Sequence, residues 1–183
     1  MRQSIHRKRK GFRLHVNGRH AAILEDPALD RMLAGACRYS TNFRRRIPLV
    51  NTSRLGNGSQ LHVKYWVPRK AHHRLQLIGR PSKIEREARQ YSRFEEAGLP
   101  VADYVFSGVR RLGGPKGIYL TGVLATRTVR GARDLRQLRR DGVAPWAKGR
   151  SERTEEVLRG IGALLGRIHH AGLVHGDFML KNI

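Results

Sequence analysis

The chain has 183 residues, 39% of them hydrophobic, and its 37 lysines and arginines against 14 acidic residues give a net charge of +23. This length suits one domain, or a little more, with a real hydrophobic core. No run approaches the roughly 18 apolar residues of a membrane-spanning helix, and no apolar segment follows the basic start as in a secretory signal. The single cysteine, Cys37, excludes an internal disulfide and favours a reducing compartment.

The positive charge indicates an anionic partner: nucleic acid, an acidic membrane face or a phosphorylated substrate. A high-GC genome that places arginine freely on solvated faces would give the same composition and is the alternative. The run at residues 44–46 favours a solvated loop over a phosphate clamp. Zinc-finger spacing, RNA-recognition aromatics and a helix-turn-helix pattern are not evident in the sequence, so nucleic acid is disfavoured.

The first part of the chain is predicted to be a basic tail, residues 1–10, followed by a hairpin and a short helix within residues 11–47. Alternating apolar residues on both sides of Asn17-Gly18 predict a β-hairpin with a type I′ turn. Asp26-Pro27 is typical of a helix start, with an N-cap followed by proline at the first helical position. The helical period after it is carried by Leu29, Met32, Leu33 and Ala36.

A second hairpin is predicted near the start of residues 48–124. Along its second strand Leu61, Val63, Tyr65 and Val67 share one face, and His62, Lys64 and Trp66 share the other. The glycines of segment 56–58 could cradle a phosphate, but two glycines between alternating strands favour a turn. Residues 68–80 form a basic connection, whose paired histidines lack a third metal ligand at suitable spacing.

A well-marked helix follows, beginning at the capping box Ser82-x-x-Glu85 and ending at Gly98. Its apolar face is carried by Ile84, Ala88, Tyr91 and Phe94. Glu87 falls within that face, and a carboxylate on a buried face needs a cationic partner. Lys64, on a neighbouring strand and opposite that strand's apolar face, is the predicted partner.

Two further strands are predicted around residues 104–106 and 118–120, with a glycine-rich turn between them. Residues 122–125 are expected to leave the sheet as a linker into residues 125–183. That last segment is predicted to hold a short helix near 134–138 and a long amphipathic helix over 151–171.

The end of the chain carries His175-x-Asp177-x-x-x-x-Asn182. This spacing is typical of a phosphotransfer catalytic loop, in which the aspartate accepts the proton of the attacking hydroxyl and the asparagine holds a magnesium ion. Three fixed residues also recur by chance, so the motif gains its meaning only from the elements that precede it.

That order of elements resembles the protein-kinase-like fold: an α+β arrangement with an antiparallel-sheet N-lobe, an αC-type helix and the start of a helical C-lobe. Within this fold the chain most resembles the lipopolysaccharide kinases, which phosphorylate Kdo or heptose sugars of the lipid A-core, over roughly residues 48–183. The matching segments are "LHVKYW", "EREARQYSRFEEAGLPV", "YLTGVL" and "GRIHHAGLVHGDFMLKNI".

The resemblance implies an ATP-dependent phosphotransferase that uses Mg²⁺. Lys64 looks like the lysine that holds the α- and β-phosphates of ATP, with Glu87 as its ion-pair partner and Glu85 as the less favoured alternative. Asp177 looks like the catalytic base and Asn182 like a magnesium ligand.

In the same family pattern, His175 would pack beneath the catalytic loop and fix its shape. Gly176 stands where many protein kinases have an arginine. Control by a phosphorylated activation loop is therefore not expected.

Two departures from the family pattern affect the expected activity. The N-terminal part has no G-x-G-x-x-G, so a nucleotide-covering loop is expected only by position, near residues 37–48. The sequence stops at Ile183, ahead of the aspartate of a D-F-G motif. We therefore expect a fragment or truncated product with little turnover.

Partners implied by the resemblance are an anionic glycolipid or sugar substrate and an acidic membrane surface. The expected location is cytoplasmic, peripheral on the inner face of the cell membrane. A protein Ser/Thr kinase or an aminoglycoside-type small-molecule kinase is the near alternative. A non-catalytic basic module that binds nucleic acid or membrane on a kinase-like scaffold is the alternative of another class.

Overall fold

A computed structural model describes residues 4–41, 50–68, 70–129, 131 and 152–173. The chain divides into two compact units: Met1–Ser92 with Ala102–Thr128, and Arg93–Val101 with Val129–Ile183. The strands are β1 Ser4–Arg9, β2 Phe12–Asn17, β3 Val50–Arg54, β4 Gln60–Trp66, β5 Tyr104–Leu112 and β6 Ile118–Arg127. The helices are α1 Pro27–Thr41, α2 Ala71–Gln76, α3 Lys83–Glu96 and α4 Glu152–His170, with a 3₁₀ helix at Gly18–Leu24.

The first unit is built on an antiparallel sheet of six strands in the order β1-β2-β5-β6-β4-β3. Strands β3 and β4 form the hairpin predicted around Asn57-Gly58. Its turn is closed by backbone hydrogen bonds from Leu55 to Ser59 (2.9 Å) and from Gly58 to Leu55 (2.9 Å), and Gly58 has a positive φ of 78°. The glycine segment is therefore a strand connection, as the sequence predicted.

Helix α1 packs on one face of the sheet. Asp26 caps it, because its Oδ1 accepts a hydrogen bond from the backbone N–H of Ala28 at 2.8 Å. The fully buried residues on this side come from α1 and from the inward-facing positions of four strands. They include Phe12, Leu14, Val16, Leu29, Leu33, Leu61, Val63, Phe106 and Val123.

Helix α3 packs on the opposite face. Ile84 and Ala88 are buried against Tyr104, Tyr119 and Leu124 of the sheet. The predicted capping box forms: the backbone N–H of Ser82 donates to Glu85 Oε2 at 2.7 Å, and the N–H of Glu85 donates to Ser82 Oγ at 3.2 Å. Both the start and the buried face of this helix are thus confirmed.

In the second unit, the long predicted helix is confirmed as α4. Its Ile168 is buried with Phe94 and Leu99. Gly172 ends the helix with φ 68°, and the backbone N–H of Leu173 returns to the carbonyl of Ile168 at 3.0 Å, which is a Schellman-type ending. Within the described ranges, no helix has both the length and the apolar character needed to cross a bilayer.

The N-terminal hairpin differs from the prediction. Residues 4–9 pair with β2 rather than forming a tail, and the turn lies at Lys10-Gly11, where both φ angles are positive (48° and 77°). Asn17 instead begins the 3₁₀ helix, with its side chain accepting from Arg19 N–H at 3.2 Å. An asparagine before glycine suits such a cap as well as a type I′ turn, which explains the error.

Two other segments also depart from the prediction. Residues 122–125 do not leave the sheet: Gly122 is paired with Trp66 and Val109, and β6 continues to Arg127. The basic connection 68–80 contains the short helix α2. The predicted helix near 134–138 and the arginine run at 44–46 lie outside the described residues.

Candidate functional site: a lysine–glutamate pair on the sheet

Lys64 lies in the middle of β4, between Val50 of β3 and Leu124 of β6. Its neighbours Val63 and Tyr65 are buried on the α1 side of the sheet. Because successive side chains of a strand point to opposite faces, Lys64 projects towards α3. Because β4 pairs with a strand on each side, the backbone from which the Lys64 side chain extends is held firmly.

Glu87 reaches Lys64 from α3. The Nζ of Lys64 lies 2.8 Å from each carboxylate oxygen of Glu87. The two side chains are 25% and 24% exposed, so solvent screens their attraction less than it screens a surface pair. The predicted ion pair therefore exists, and the lysine is held by both oxygens at once.

Glu85 has a different role. Its Oε2 accepts from the Ser82 backbone and from Nη2 of Arg111 at 2.9 Å. Burial alone would raise the pKa of Glu85, but the hydrogen bonds from Ser82 and Arg111 outweigh it and hold the pKa below its usual value. Glu85 is thus committed to the helix start, which leaves Glu87 as the partner of Lys64.

Arg111, near the end of β5, is a residue of this region that the sequence did not single out. Its side chain is only 4% exposed and its guanidinium carbon lies 5.4 Å from the ring centre of Tyr119. Four of its N–H groups are donated to neighbouring segments. The acceptors are Leu77 O (2.9 Å), Gly117 O (3.2 Å), Arg80 O (2.8 Å) and Glu85 Oε2 (2.9 Å).

Aromatic side chains pack on the α3 side of the sheet. The rings of Trp66 and Tyr119 lie 5.1 Å apart, and the Tyr119 hydroxyl donates to the Trp66 carbonyl at 3.3 Å. Burial raises the pKa of Tyr119, and burial also raises that of Tyr104 to about 12. Both phenols are therefore neutral hydrogen-bonding groups here and do not act as bases.

The other predicted site residues lie elsewhere in the chain. His175, Asp177 and Asn182 fall outside the described residues, so their roles stay predictions. Among the residues that are described, no group of three or more histidine, cysteine or acidic side chains could hold a metal ion. The described part of the site therefore consists of Lys64, Glu87 and the residues that hold α3 against the sheet.

The model of the lipopolysaccharide kinase (Kdo/WaaP) family matches residues 34–183. The chain belongs to this family. It is therefore a kinase-type phosphotransferase with a protein-kinase-like α+β fold, as the resemblance implied. Comparisons with curated proteins and with solved structures gave no match.

The family match covers most of the described elements. It begins inside α1 and takes in the lysine strand β4, the glutamate helix α3, strands β5 and β6, and the histidine–aspartate–asparagine motif. Strands β1 and β2 and the 3₁₀ helix precede it. The N-terminal hairpin therefore lies outside the matched range, although its strand β2 is part of the same sheet.

Proposed function

We propose that this lipopolysaccharide kinase transfers the γ-phosphoryl group of ATP to a sugar hydroxyl, Kdo or heptose, of an anionic glycolipid. The observation that carries the proposal is the Lys64–Glu87 pair, with Nζ at 2.8 Å from both carboxylate oxygens. It stands within a family match that extends through the His175-x-Asp177-x-x-x-x-Asn182 motif.

In this proposal Lys64 binds the α- and β-phosphates. An ammonium has three N–H groups, and the two oxygens of Glu87 engage it from one side, which leaves donor capacity for a phosphate oxygen. Glu87 aims the long, flexible lysine before the nucleotide arrives, so less conformational entropy is lost when ATP binds. The expected phenotype of losing either residue is weaker nucleotide binding.

The proposed chemistry is positioning and charge neutralisation. Asp177 accepts the proton of the attacking sugar hydroxyl, Asn182 holds Mg²⁺, and His175 supports the loop that carries them. The magnesium ion, when bound, neutralises charge on the phosphates.

The proposed anionic partner of this protein is the cytoplasmic face of the membrane. Exposed basic residues crowd the hairpin β1–β2, and Lys8 is paired across it with Arg13. Like charges placed directly opposite each other destabilise a hairpin unless an anion lies against them. This pairing favours a peripheral location on an anionic leaflet, where each basic residue contributes about 1 kcal/mol.

A thermal-shift titration with Mg-ATP tests the nucleotide site. Because a ligand that binds only the folded state raises its stability by mass action, millimolar Mg-ATP should raise the melting temperature. The shift should disappear in Lys64→Met and persist in Lys83→Met, which removes an exposed lysine at the start of α3. An equal shift in both variants would contradict the role given to Lys64.

Sedimentation with vesicles tests the membrane partner separately. The chain should bind phosphatidylglycerol vesicles more tightly than phosphatidylcholine vesicles, and Lys8→Glu with Arg13→Glu should weaken that binding. Salt-steep binding to DNA in a chain that gives no Mg-ATP shift would instead support a non-catalytic basic module.

A further inference from the structure

The N-terminal end of α3 is fastened to the sheet by one buried arginine. We propose that Arg111 is a positioning residue that holds α3 in place, so that the Lys64–Glu87 pair stays assembled. The catalytic meaning of this positioning role rests on the proposed function. The positioning role itself concerns only how α3 sits on the sheet.

Arg111 connects several segments of the chain. Arg111 lies on β5, and its guanidinium joins three separate segments: the stretch before α3 through Leu77 and Arg80, the first turn of α3 through Glu85, and the β5–β6 turn through Gly117. A planar guanidinium has its donors in a fixed fork, so it holds these acceptors in one geometry. The helix start cannot shift without losing several of these hydrogen bonds together.

Helix α3 couples two ion pairs. Glu85 and Glu87 are two residues apart on one rigid α-helix, and each makes an ion pair with the sheet, Glu85 with Arg111 and Glu87 with Lys64. A rotation or outward movement of α3 that separates Glu87 from Lys64 also moves Glu85 away from Arg111. The second separation removes the carboxylate partner of a guanidinium that is 4% exposed, which costs more than losing a surface contact.

Neighbouring contacts oppose the same movement of α3 away from the sheet. The backbone N–H of Gly79 donates to Lys116 O at 2.9 Å, which ties the stretch before α3 to the β5–β6 turn. Ile84 is fully buried in the cluster that contains Tyr119. The helix is therefore fixed at its start by hydrogen bonds and along its first turn by apolar packing.

Lysine footprinting tests directly whether Arg111 keeps Lys64 paired with Glu87. The rate at which an amine-reactive acylating reagent modifies Lys64 is measured relative to exposed Lys116 of the same molecule, together with amide exchange over residues 83–92. Arg111→Met and Glu85→Gln are compared with Arg127→Met, which removes an arginine of β6 whose side chain is 48% exposed. The Glu85→Gln variant retains a side-chain oxygen for the Ser82 N–H but loses the charge that faces Arg111.

We expect Glu85→Gln to raise the relative Lys64 rate and the exchange over 83–92 by about tenfold, the weight of one charge-assisted hydrogen bond. Arg111→Met should raise both further, and Arg127→Met should leave both unchanged. A general loss of stability would raise exchange across the sheet as well, so an increase confined to α3 and Lys64 identifies positioning. If Arg111→Met does not fold, Glu85→Gln decides the question.

Unchanged Lys64 reactivity in both Glu85→Gln and folded Arg111→Met would overturn the proposal. Mg-ATP affinity of the same variants separates this failure from failure of the proposed function. If the unmodified chain binds Mg-ATP and Glu85→Gln binds it equally well, only the positioning role is refuted. If the unmodified chain does not bind Mg-ATP, the proposed function fails. The Lys64 acylation rates still decide whether Arg111 holds α3 in place.

Discussion

Gly122 allows α3 to approach the sheet closely, and Gly122→Ala tests that approach. An alanine Cβ at this position would contact the Tyr119 hydroxyl and lie 2.9 Å from Cγ1 and 3.2 Å from Cβ of Ile84. Carbon atoms in good contact lie roughly 3.5–4.0 Å apart, so the helix or the ring has to move by roughly half an ångström or more. Both Ile84 and Tyr119 are fully buried, so neither can turn out into solvent.

The expected cost follows from overpacking, which destabilises a well-packed core by about 1–3 kcal/mol. Alanine in place of glycine regains about 0.4–1 kcal/mol by restricting the unfolded chain. The net loss should be about 1–2 kcal/mol, measured by urea denaturation as a lower midpoint at unchanged slope. For a chain of this length that loss lowers the melting temperature by roughly 2–8 °C.

Two control variants separate the effect of the close contact from that of adding a methyl group. Gly160→Ala places a Cβ on α4 where no atom lies within 4 Å, so it should be neutral or stabilising. Tyr119→Phe removes the hydroxyl that the new methyl would meet, so the combined variant should be less destabilised than the two single changes added together. If Gly122→Ala is as stable as Gly160→Ala, α3 does not pack on β6 as described.

Three further predictions concern the sheet and its N-terminal elements. Phe106→Ala, at a fully buried position, should lower the free energy of unfolding by about 3–5 kcal/mol in urea denaturation, and a loss below about 1 kcal/mol would contradict its place in the core. Asp26→Ala removes the cap of α1 and the acceptor of the Gly56 N–H at 2.7 Å, so it should cost about 1 kcal/mol or slightly more in the same assay; a neutral effect would show that the cap is not formed. Burial, and then the nearby His6, lower the pKa of His15 below its ordinary value of 6.5. The unfolded chain therefore binds more protons, and stability should fall as the pH drops below about 6.5. His15→Gln should flatten this fall in denaturation curves, and an unchanged slope would contradict the prediction.

Predictions from the sequence succeeded where the signal is local or periodic. The Ser82–Glu85 capping box depends on residues three apart, and both of its hydrogen bonds form. The Lys64–Glu87 contact followed from two periods, one placing the lysine on a strand face and the other placing the glutamate on a helix face. Local patterns thus sufficed for the pair, although its partners lie in separate elements.

The errors arose where several conformations suit one short segment. Residues 122–125 were predicted to leave the sheet as a linker, but they continue β6, where the missing side chain of Gly122 lets Ile84 approach the strand. Strand β1 has one apolar residue, Ile5, and is held mainly by backbone pairing, so its sequence carries almost no alternation. Arg111 could not be distinguished from a solvated arginine, because its acceptors come from three segments that only the fold brings together.

The N-terminal hairpin matters when this chain is trimmed to the part that the family model matches, which starts at residue 34. This cut falls inside α1, so the buried Leu29 and Leu33 would be lost together with Phe12, Leu14 and Val16. Strand β5 would also lose the strand that covers its free side. The trimmed chain would present an open row of backbone donors and acceptors next to a hydrophobic hollow, a combination that recruits strands from other molecules. Expression of the matched part alone should therefore yield oligomers or precipitate. The chain that keeps residues 4–33 retains the strand and the helix that cover this surface.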